Sequence, residues 1–168
     1  MEPDTYTLNP DLIEKSITDK TVAIVTTHVY GFPCDVEAID KIAQKYNLYV
    51  IYDAAHCFGV KYKGVGIGNY GDMAMFSTHA TKVFHTIEGG LITYKEKDND
   101  KLRPMRKIVN FGFTSQEDID YIGTNARMNE FEAVMGIVNL RHIDEEILKR
   151  KKVAERYWEH LDGVQGLR

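Results

Sequence analysis

The sequence predicts an α/β fold of three layers, α/β/α, in which a mostly parallel sheet carries one antiparallel strand. Two observations support this prediction. A β-branched strand, an amphipathic helix and a second apolar strand follow one another between residues 21 and 53, which is the order of a parallel crossover unit. A third strand, over 72–77, is followed so soon by a fourth, over 91–95, that an antiparallel return is expected there.

Composition and charge are those of one ordinary soluble domain. The 168 residues are 43% hydrophobic, and 21 basic against 25 acidic side chains give a net charge of -4 without long runs of one sign. Neither nucleic acid nor a membrane is therefore expected as a partner. Cys34 and Cys57 lack the spacing of metal ligands, so we expect no metal site, no disulfide framework and an intracellular, cytoplasmic protein.

The first elements are predicted from their caps and apolar spacing. Asn9 and Pro10 are expected to begin an amphipathic helix. The stretch 21–29 is β-branched and almost continuously apolar, which is typical of a strand covered on both faces. Asp35 is expected to cap a helix over 36–46. The buried stripe of that helix is predicted to be Val36, Ile39, Ile42 and Ala43.

The rest of the chain is predicted to contain a second buried strand and three helices. The strand covers 49–52, and residues 59–71 carry five glycines, which predicts a loop with a short extended piece. The helices are predicted over 98–109, 129–140 and 143–161, with an irregular segment over 110–125. The core face of the second of these helices is predicted to be Phe131, Val134, Met135 and Val138.

Polar side chains follow the predicted strands at the edge where parallel sheets bind ligands. His28 follows the first strand, Asp53 the second, and the stretch 77–82 the third, where Lys82 is displayed among small residues. A buried carboxylate needs a cationic partner, and a protonated ring nitrogen is one candidate. A lysine beside it can bond to a carbonyl group on the same ring. Together these requirements describe pyridoxal phosphate.

Other interpretations of these residues remain open on this reasoning alone. Asp53 could cap the turn that follows it, and Lys82 could be an ordinary solvated lysine. An aspartate in this place could also bind the ribose of a nucleotide. The glycine-rich turn that should accompany such a site is missing after the strand over 21–29, which disfavours that interpretation.

Six short stretches of the chain form a pattern in their order and spacing. They are 21–31 (TVAIVTTHVYG), 53–56 (DAAH), 71–72 (GD), 77–82 (STHATK), 88–90 (EGG) and 123–130 (GTNARMNE). Together they resemble the DegT/DnrJ/EryC1/StrS family of sugar aminotransferases, and the similarity covers nearly the whole chain. Within the family, the nearest likeness is to enzymes that aminate nucleotide-linked keto-deoxysugars.

The resemblance implies the central part of the large domain of a type I pyridoxal phosphate-dependent aminotransferase. It makes Lys82 the Schiff-base lysine and proton shuttle, and Asp53 the partner of the pyridine nitrogen. It places His56 near the ring hydroxyl or the ring face, and Ser77 as a donor to the cofactor phosphate. Asn125 matches a family asparagine that reaches the phosphate of the neighbouring subunit, which implies a homodimer with shared active sites.

The chain departs from the family pattern in one residue and in length. Thr78 stands where the family has phenylalanine, which predicts altered packing with little change in chemistry, while His79 is expected to brace the loop. Family members are considerably longer. Residues 1–141 are therefore interpreted as a partial cofactor-binding large domain, and residues 142–168 as a long helix leading toward a C-terminal small domain. Uncovered sheet edges and apolar faces would favour self-association.

The resemblance implies transfer of an amino group from an amino acid, glutamate by family, to a nucleotide-linked keto-deoxysugar, as in polysaccharide biosynthesis. The alternative is a truncated, non-catalytic fragment that folds or self-associates and binds the cofactor weakly or not at all. The intact pair of Asp53 and Lys82 favours the enzyme. The absence of the family's phosphate-cradling helix N-terminus from these residues favours the fragment.

Overall fold

The fold is taken from a computed structural model, which describes residues 1–95 and 99–167 and, for residues 99–103, the backbone alone. The strands in this part of the chain are β1 (Ala23–Thr27), β2 (Tyr49–Asp53), β3 (Lys61–Tyr62), β4 (Val65–Gly66), β5 (Met73–Ser77) and β6 (Gly90–Tyr94). Its α-helices are α1 (Val36–Tyr46), α2 (Asn99–Ile108), α3 (Glu130–Leu140) and α4 (Ile143–Leu161). None of the helices so described is both long and apolar enough to span a membrane.

The central sheet has the strand order β1-β2-β5-β6. The first three strands are parallel, and β6 is antiparallel to β5. In the register, Asp53 lies opposite Thr27 on one side and Met75 on the other. The predicted α/β fold with one antiparallel strand is therefore confirmed, and the parallel strands end at a common edge.

The two faces of the sheet are covered to different extents. On one face, the core of the sheet and α1 consists of Ile24, Val50, Tyr52, Ala74, Phe76, Val36, Ile39 and Ala43. On the other face, the β5–β6 part borders a cleft of about 810 Å³ that is also lined by Met105 of α2. Val25 of β1 points to that second face and is 67% exposed. The prediction that this strand is covered on both faces is wrong for the residues described, because no described element packs on its outer side.

The predicted first helix is two separate 3-10 turns instead. They cover Pro10–Leu12 and Glu14–Ser16, and Asn9 caps the first by accepting a hydrogen bond from Asp11 N at 2.8 Å. The cap prediction is confirmed and the helix prediction is wrong. Of the apolar positions in this segment, Ile13 is buried and Leu12 is 47% exposed. An α-helix gains most of its stability from burying an apolar face, and here too little is buried.

The glycine-rich stretch, predicted to be a loop with a short extended piece, forms a small hairpin. β3 pairs with β4, and the turn between them has positive φ angles at Lys63 (48°) and Gly64 (83°). Two successive residues in the left-handed region give the turn that suits the twist of a hairpin. This hairpin lies between β2 and β5 in the chain, outside the central sheet.

Helix α3 has the predicted length but a different contact face. The residues predicted to be buried are exposed, namely Phe131 (84%), Val134 (58%) and Val138 (44%), while Met135 is half-buried. The helix instead packs on a loop through Gly136, where an added Cβ would lie 3.0 Å from Thr86 Cγ2. Asn139 Nδ2 donates a hydrogen bond to His85 O at 2.9 Å. The contact is made by a glycine and a polar side chain, so the hydrophobic periodicity of α3 predicted the wrong contact face.

The remaining helices agree with their predicted ranges. Asp35 caps α1 by accepting from Ala38 N at 3.0 Å, and Asn129 forms a capping box with Glu132 at the start of α3. Residue 98, the predicted start of α2, and residue 168 lie outside the described residues. The last helix, α4, contains no buried residue, which agrees with its alternating charges.

Candidate active site

The candidate site lies where the parallel strands end. Asp53 closes β2 and Ser77 closes β5, and the register places both side chains on the same face of the sheet. Asp53 Oδ1 accepts a hydrogen bond from Ala55 N at 3.0 Å, so this residue does cap the following turn. Within the described part of the chain, its other carboxylate oxygen has neither a hydrogen bond nor an ion pair. One oxygen therefore fixes the carboxylate while the other remains available to a ligand.

Lys82 is presented by a tight turn after β5. Lys82 N donates to His79 O at 2.9 Å, and His79 N donates to Ser77 Oγ at 3.3 Å. The Lys82 side chain is half-buried and forms no ion pair with any described residue. It lines a cavity of about 580 Å³ together with His56 and Tyr30. The structure thus brings Lys82 and His56 to one cavity, and neither Asp53 nor Ser77 lines it.

A pair of buried hydroxyl groups closes the loop that carries Lys82. Thr78 Oγ1 and Thr86 Oγ1 are 2.7 Å apart, and Thr86 donates its hydroxyl proton to Glu88 O at 2.5 Å. Thr78 is therefore the donor in the first contact. Gly89, with φ of 130°, leaves room for this arrangement, because an added Cβ would lie 2.9 Å from both hydroxyl oxygens. Thr78 thus replaces the family's phenylalanine with a hydrogen bond across the loop.

His79 makes contacts within the same loop. Its Nδ1 lies 2.9 Å from Thr81 Oγ1, and its Nε2 lies 3.6 Å from a carboxylate oxygen of Glu88. Both partners belong to the turn that presents Lys82 or to its exit. These contacts agree with the prediction that His79 braces the loop.

Tyr30 and Arg150 are lining residues that the sequence reasoning missed. The rings of Tyr30 and His56 are nearly parallel, at an interplanar angle of 6° with centroids 6.3 Å apart, and Tyr30 is 77% exposed. Tyr30 immediately precedes Gly31 at the end of the 21–31 motif, which was a usable signal. Arg150 comes from α4 and lines the cavity of Lys82. No spacing in the sequence indicated this long-range contact.

His28 does not join the site, contrary to its prediction. It is fully buried on the α1 side of the sheet, with its ring stacked on Tyr52 at a centroid distance of 4.5 Å. Its Nδ1 accepts from Cys34 N at 2.9 Å, and its Nε2 has no hydrogen-bond partner among the described residues. Burial lowers the pKa of His28 to about 4, although the negative charge of Asp53 acts in the opposite direction. The reason for the error is strand alternation, which turns His28 away from the face of Asp53.

Asn125 also lies apart from Lys82 within one copy of the chain. It is exposed, forms an isolated bridge with Asn110, and accepts a weak hydrogen bond from Arg127 Nε at 3.4 Å. It does not line the cavity of Lys82. Ser77 does not line it either and instead borders a cleft that is also lined by Arg127, two residues from Asn125.

The surroundings of the two cysteines are those of buried core residues. Cys34 and Cys57 are free thiols and both are fully buried. Burial raises the pKa of the Cys34 thiol, and it raises the pKa of the Cys57 thiol to about 12. A thiol that stays protonated is a poor nucleophile and a poor metal ligand. Neither cysteine competes with Lys82 as a reactive group.

Comparison with known proteins identifies the family of the chain. The model of the DegT/DnrJ/EryC1/StrS aminotransferase family matches residues 1–168. The dTDP-4-amino-4,6-dideoxy-D-glucose transaminase of Shigella dysenteriae is 42% identical over 155 residues, which are 92% of this chain and 42% of that protein. The chain spans less than half the length of the curated relatives it matches, with 46% for a relative from Methanocaldococcus jannaschii.

Solved structures show the same fold. The crystal structure of DesI in the presence of its TDP-sugar product superposes with a TM-score of 0.90 at 35% identity, over 100% of this chain and 42% of that one. Spr1654 from Streptococcus pneumoniae, in its PLP form, gives a TM-score of 0.89 at 28% identity, over 97% of this chain and 47% of that one.

Proposed function

The chain belongs to the DegT/DnrJ/EryC1/StrS aminotransferase family, and from this premise we propose that it serves the pyridoxal phosphate-dependent transfer of an amino group to a nucleotide-linked keto-deoxysugar. The observation that carries the proposal is the half-buried Lys82 in a cavity with His56, next to the sheet edge where Asp53 keeps one oxygen free. The Shigella transaminase is named for a dTDP-linked amino sugar, and DesI was crystallised with a TDP-sugar. Both support a sugar nucleotide as the amino acceptor.

The residues present fit pyridoxal phosphate. The free oxygen of Asp53 is suited to accept a hydrogen bond from a protonated ring nitrogen, because Ala55 N holds the other oxygen in place. Ser77 Oγ accepts from His79 N, which leaves its own hydroxyl proton for the cofactor phosphate. His56, at the cavity wall, would contact the ring hydroxyl or the ring face. Bound there, the cofactor supplies an electron sink for the charge that develops at the donor's α-carbon.

Lys82 has two roles in this proposal. Its Nζ would hold the cofactor by condensing with the aldehyde carbon, with loss of water, and the amine of a donor, proposed to be glutamate, would displace it as a free amine. The freed Nζ would then be the base that takes the proton from the α-carbon of the donor. The turn held by His79 O and Lys82 N fixes the start of this side chain, which keeps Nζ within one cavity during both roles.

The proposal also includes a homodimer in the cytoplasm. Asn125 is exposed and does not line the cavity of Lys82, and we propose that it reaches the cofactor phosphate of a second copy. Free, buried Cys34 and Cys57 support a reducing compartment. Because the chain spans less than half of its relatives, residues 1–141 are proposed to be part of a large domain and α4 to lead toward a small one.

The test is covalent capture of the cofactor on Lys82. The chain is mixed with pyridoxal phosphate, its absorbance spectrum is recorded, borohydride is added, and the modified peptide is identified by mass spectrometry. We expect a long-wavelength band and a single adduct on Lys82, both absent in Lys82→Ala and retained in Lys61→Ala, which removes an exposed lysine. An adduct spread over surface lysines, unchanged in Lys82→Ala, would reject the proposal. The chain would then be a non-catalytic fragment, an interpretation that the uncovered side of β1 favours.

A further inference from the structure

The cavity of Lys82 contains a second cation from a distant element. Arg150 of α4 lines it together with Tyr30, His56 and Phe58. Its volume of about 580 Å³ is within the range of about 300–1,000 Å³ that is usual for small-molecule sites. Its lining contains one lysine, Lys82, and one arginine, Arg150, but no aspartate or glutamate. The cavity is therefore suited to an anionic ligand.

Close packing of α4 on the 57–60 segment places Arg150 at this cavity. A Cβ added to Gly59, whose φ is 81°, would lie 3.1 Å from Ile147 Cδ1, so the absence of a side chain lets the helix approach. Arg150 follows Ile147 by three residues and therefore lies on the same face of α4. Ile147 thus packs on the segment next to Phe58 while Arg150 reaches the cavity that Phe58 lines.

The guanidinium of Arg150 is not used by another described side chain. It forms no hydrogen bond and no ion pair with a residue of the described ranges 1–95 and 99–167. The pKa of Glu146, one turn earlier, is lowered chiefly by a hydrogen bond from Lys149, whose Nζ lies 2.6 Å from Oε1, and to a smaller extent by the charge of Arg150. The nearest carboxylate on the helix is therefore already paired, and Arg150 remains available to a ligand.

From this arrangement we infer that Arg150 binds the diphosphate of the nucleotide-linked sugar, an inference that rests on the proposed function. In the proposed function Lys82 is committed to the cofactor and to the reacting carbon, and Arg150 is the other lysine or arginine of the lining. A guanidinium holds phosphate oxygens through two parallel N–H donors. The cavity is larger than an amino acid needs, and the exposed ring of Tyr30 gives a flat surface for the rest of the nucleotide.

The experiment measures binding of thymidine 5′-diphosphate to the cofactor-free chain by calorimetry. We expect Arg150→Gln to weaken binding by about tenfold or more, with Arg150→Lys intermediate, because a charge-assisted bidentate contact is lost. The matched control is Arg156→Gln, which removes the same charge from α4 beside a different cavity, shared with Tyr157 and His160. It should change the affinity less than twofold. Circular dichroism verifies that each variant folds.

A second titration, with glutamate, distinguishes the diphosphate from the carboxylates of the amino donor. We expect Arg150→Gln to leave glutamate binding unchanged. The inference is overturned if thymidine diphosphate does not bind the wild-type chain, if Arg150→Gln binds it normally, if Arg156→Gln loses as much affinity, or if glutamate binding is lost instead. Because no cofactor is present, a failed Lys82 adduct with intact diphosphate binding rejects the proposed function alone, and the reverse result rejects this inference alone.

Discussion

At the scale of single residues, His28 shows how burial decides what a histidine can do. It occupies a strand end, as a catalytic histidine would, but its ring is enclosed between Tyr52 and the segment of Cys34. Nδ1 accepts the Cys34 N–H, so the neutral ring carries its proton on Nε2. That proton has no described acceptor, and a second proton would add a charge to a side chain with no exposed surface. His28 is therefore a neutral part of the core.

Protonation of His28 should make the fold sensitive to acid. Burial holds its pKa at about 4, against an ordinary value of 6.5. The unfolded chain therefore takes up a proton first as the pH falls, so this contribution to stability is constant above neutral pH and is lost between pH 6.5 and pH 4. We expect a loss of about 3 kcal/mol across that window, from the difference between the two pKa values.

Urea unfolding from pH 8 to pH 4.5 checks this prediction on wild-type protein, His28→Gln and His160→Gln. The His28→Gln protein should be less stable at pH 8 but should lose less free energy of unfolding on acidification. His160→Gln, at an exposed site, should follow the wild type. Equal pH dependence of the wild type and His28→Gln would show that this histidine is not held neutral in the fold.

At the scale of elements, the Lys82 loop is held by a buried pair of hydroxyl groups as well as by apolar packing of Phe84 on Phe58. Thr78 is 1% exposed and Thr86 is 3% exposed, so their mutual hydrogen bond is shielded from water. Helix α3 covers the same point through Gly136, close to the methyl group of Thr86. The loop is therefore coupled to a helix, and its shape depends on both hydroxyls.

Removing the first hydroxyl of this pair should lower the free energy of unfolding more than removing the second one afterwards. Thr86→Val leaves the buried hydroxyl of Thr78 and the Glu88 carbonyl without a partner, and a buried unsatisfied group costs about 1–3 kcal/mol. With Thr78→Val in addition, the orphaned hydroxyl is gone, so the double variant should be more stable than the sum of the single effects predicts. Urea unfolding of the four proteins gives the coupling. Thr27→Val, at an exposed position of β1 whose hydroxyl forms no hydrogen bond with a described residue, should change stability by less than about 0.5 kcal/mol. Additive effects would mean that the pair does not act as a unit.

The sequence allowed the element boundaries to be predicted better than their contacts. Asp35 is a local signal that acts through the backbone of its own helix, and its cap is present as predicted. Asn129, predicted as the first helical residue, is the cap of α3. The face that a helix buries depends on which segment lies beside it. Helix α3 therefore exposes Phe131 and buries Gly136, although hydrophobic periodicity favoured the opposite.

The motifs of the candidate site could be predicted from the sequence, but the residues that reach it from distant segments could not. Asp53 and Lys82 follow apolar strands directly, so their place at the sheet edge was readable from the sequence. The side to which His28 turns depends on one residue of strand register. The approach of Arg150 depends on the contact of α4 with Gly59, which no local pattern encodes.

At the scale of the whole molecule, the described residues leave large apolar side chains exposed on the sheet and on α3. Val25, at 67% exposure, lies on the open side of the sheet, and Phe131, at 84%, on the outer side of α3. Apolar groups this exposed commonly mark an interface. Asn125 is exposed and does not line the cavity of Lys82, and its proposed role is at the cofactor phosphate of a second copy.

Mixed variants test whether an active site is shared between two copies. Asn125→Ala alone should retain pyridoxal phosphate weakly, and Lys82→Ala alone should form no adduct. In a mixed dimer, the Lys82 of the first variant meets the Asn125 of the second, so one complete site is restored. Borohydride capture at limiting cofactor should therefore rise when the two are mixed, with the adduct on the Asn125→Ala polypeptide. The control replaces the second protein with Lys82→Ala/Asn125→Ala, which supplies no asparagine. If both mixtures give the same capture, Asn125 serves its own copy or no site, and the shared site is rejected.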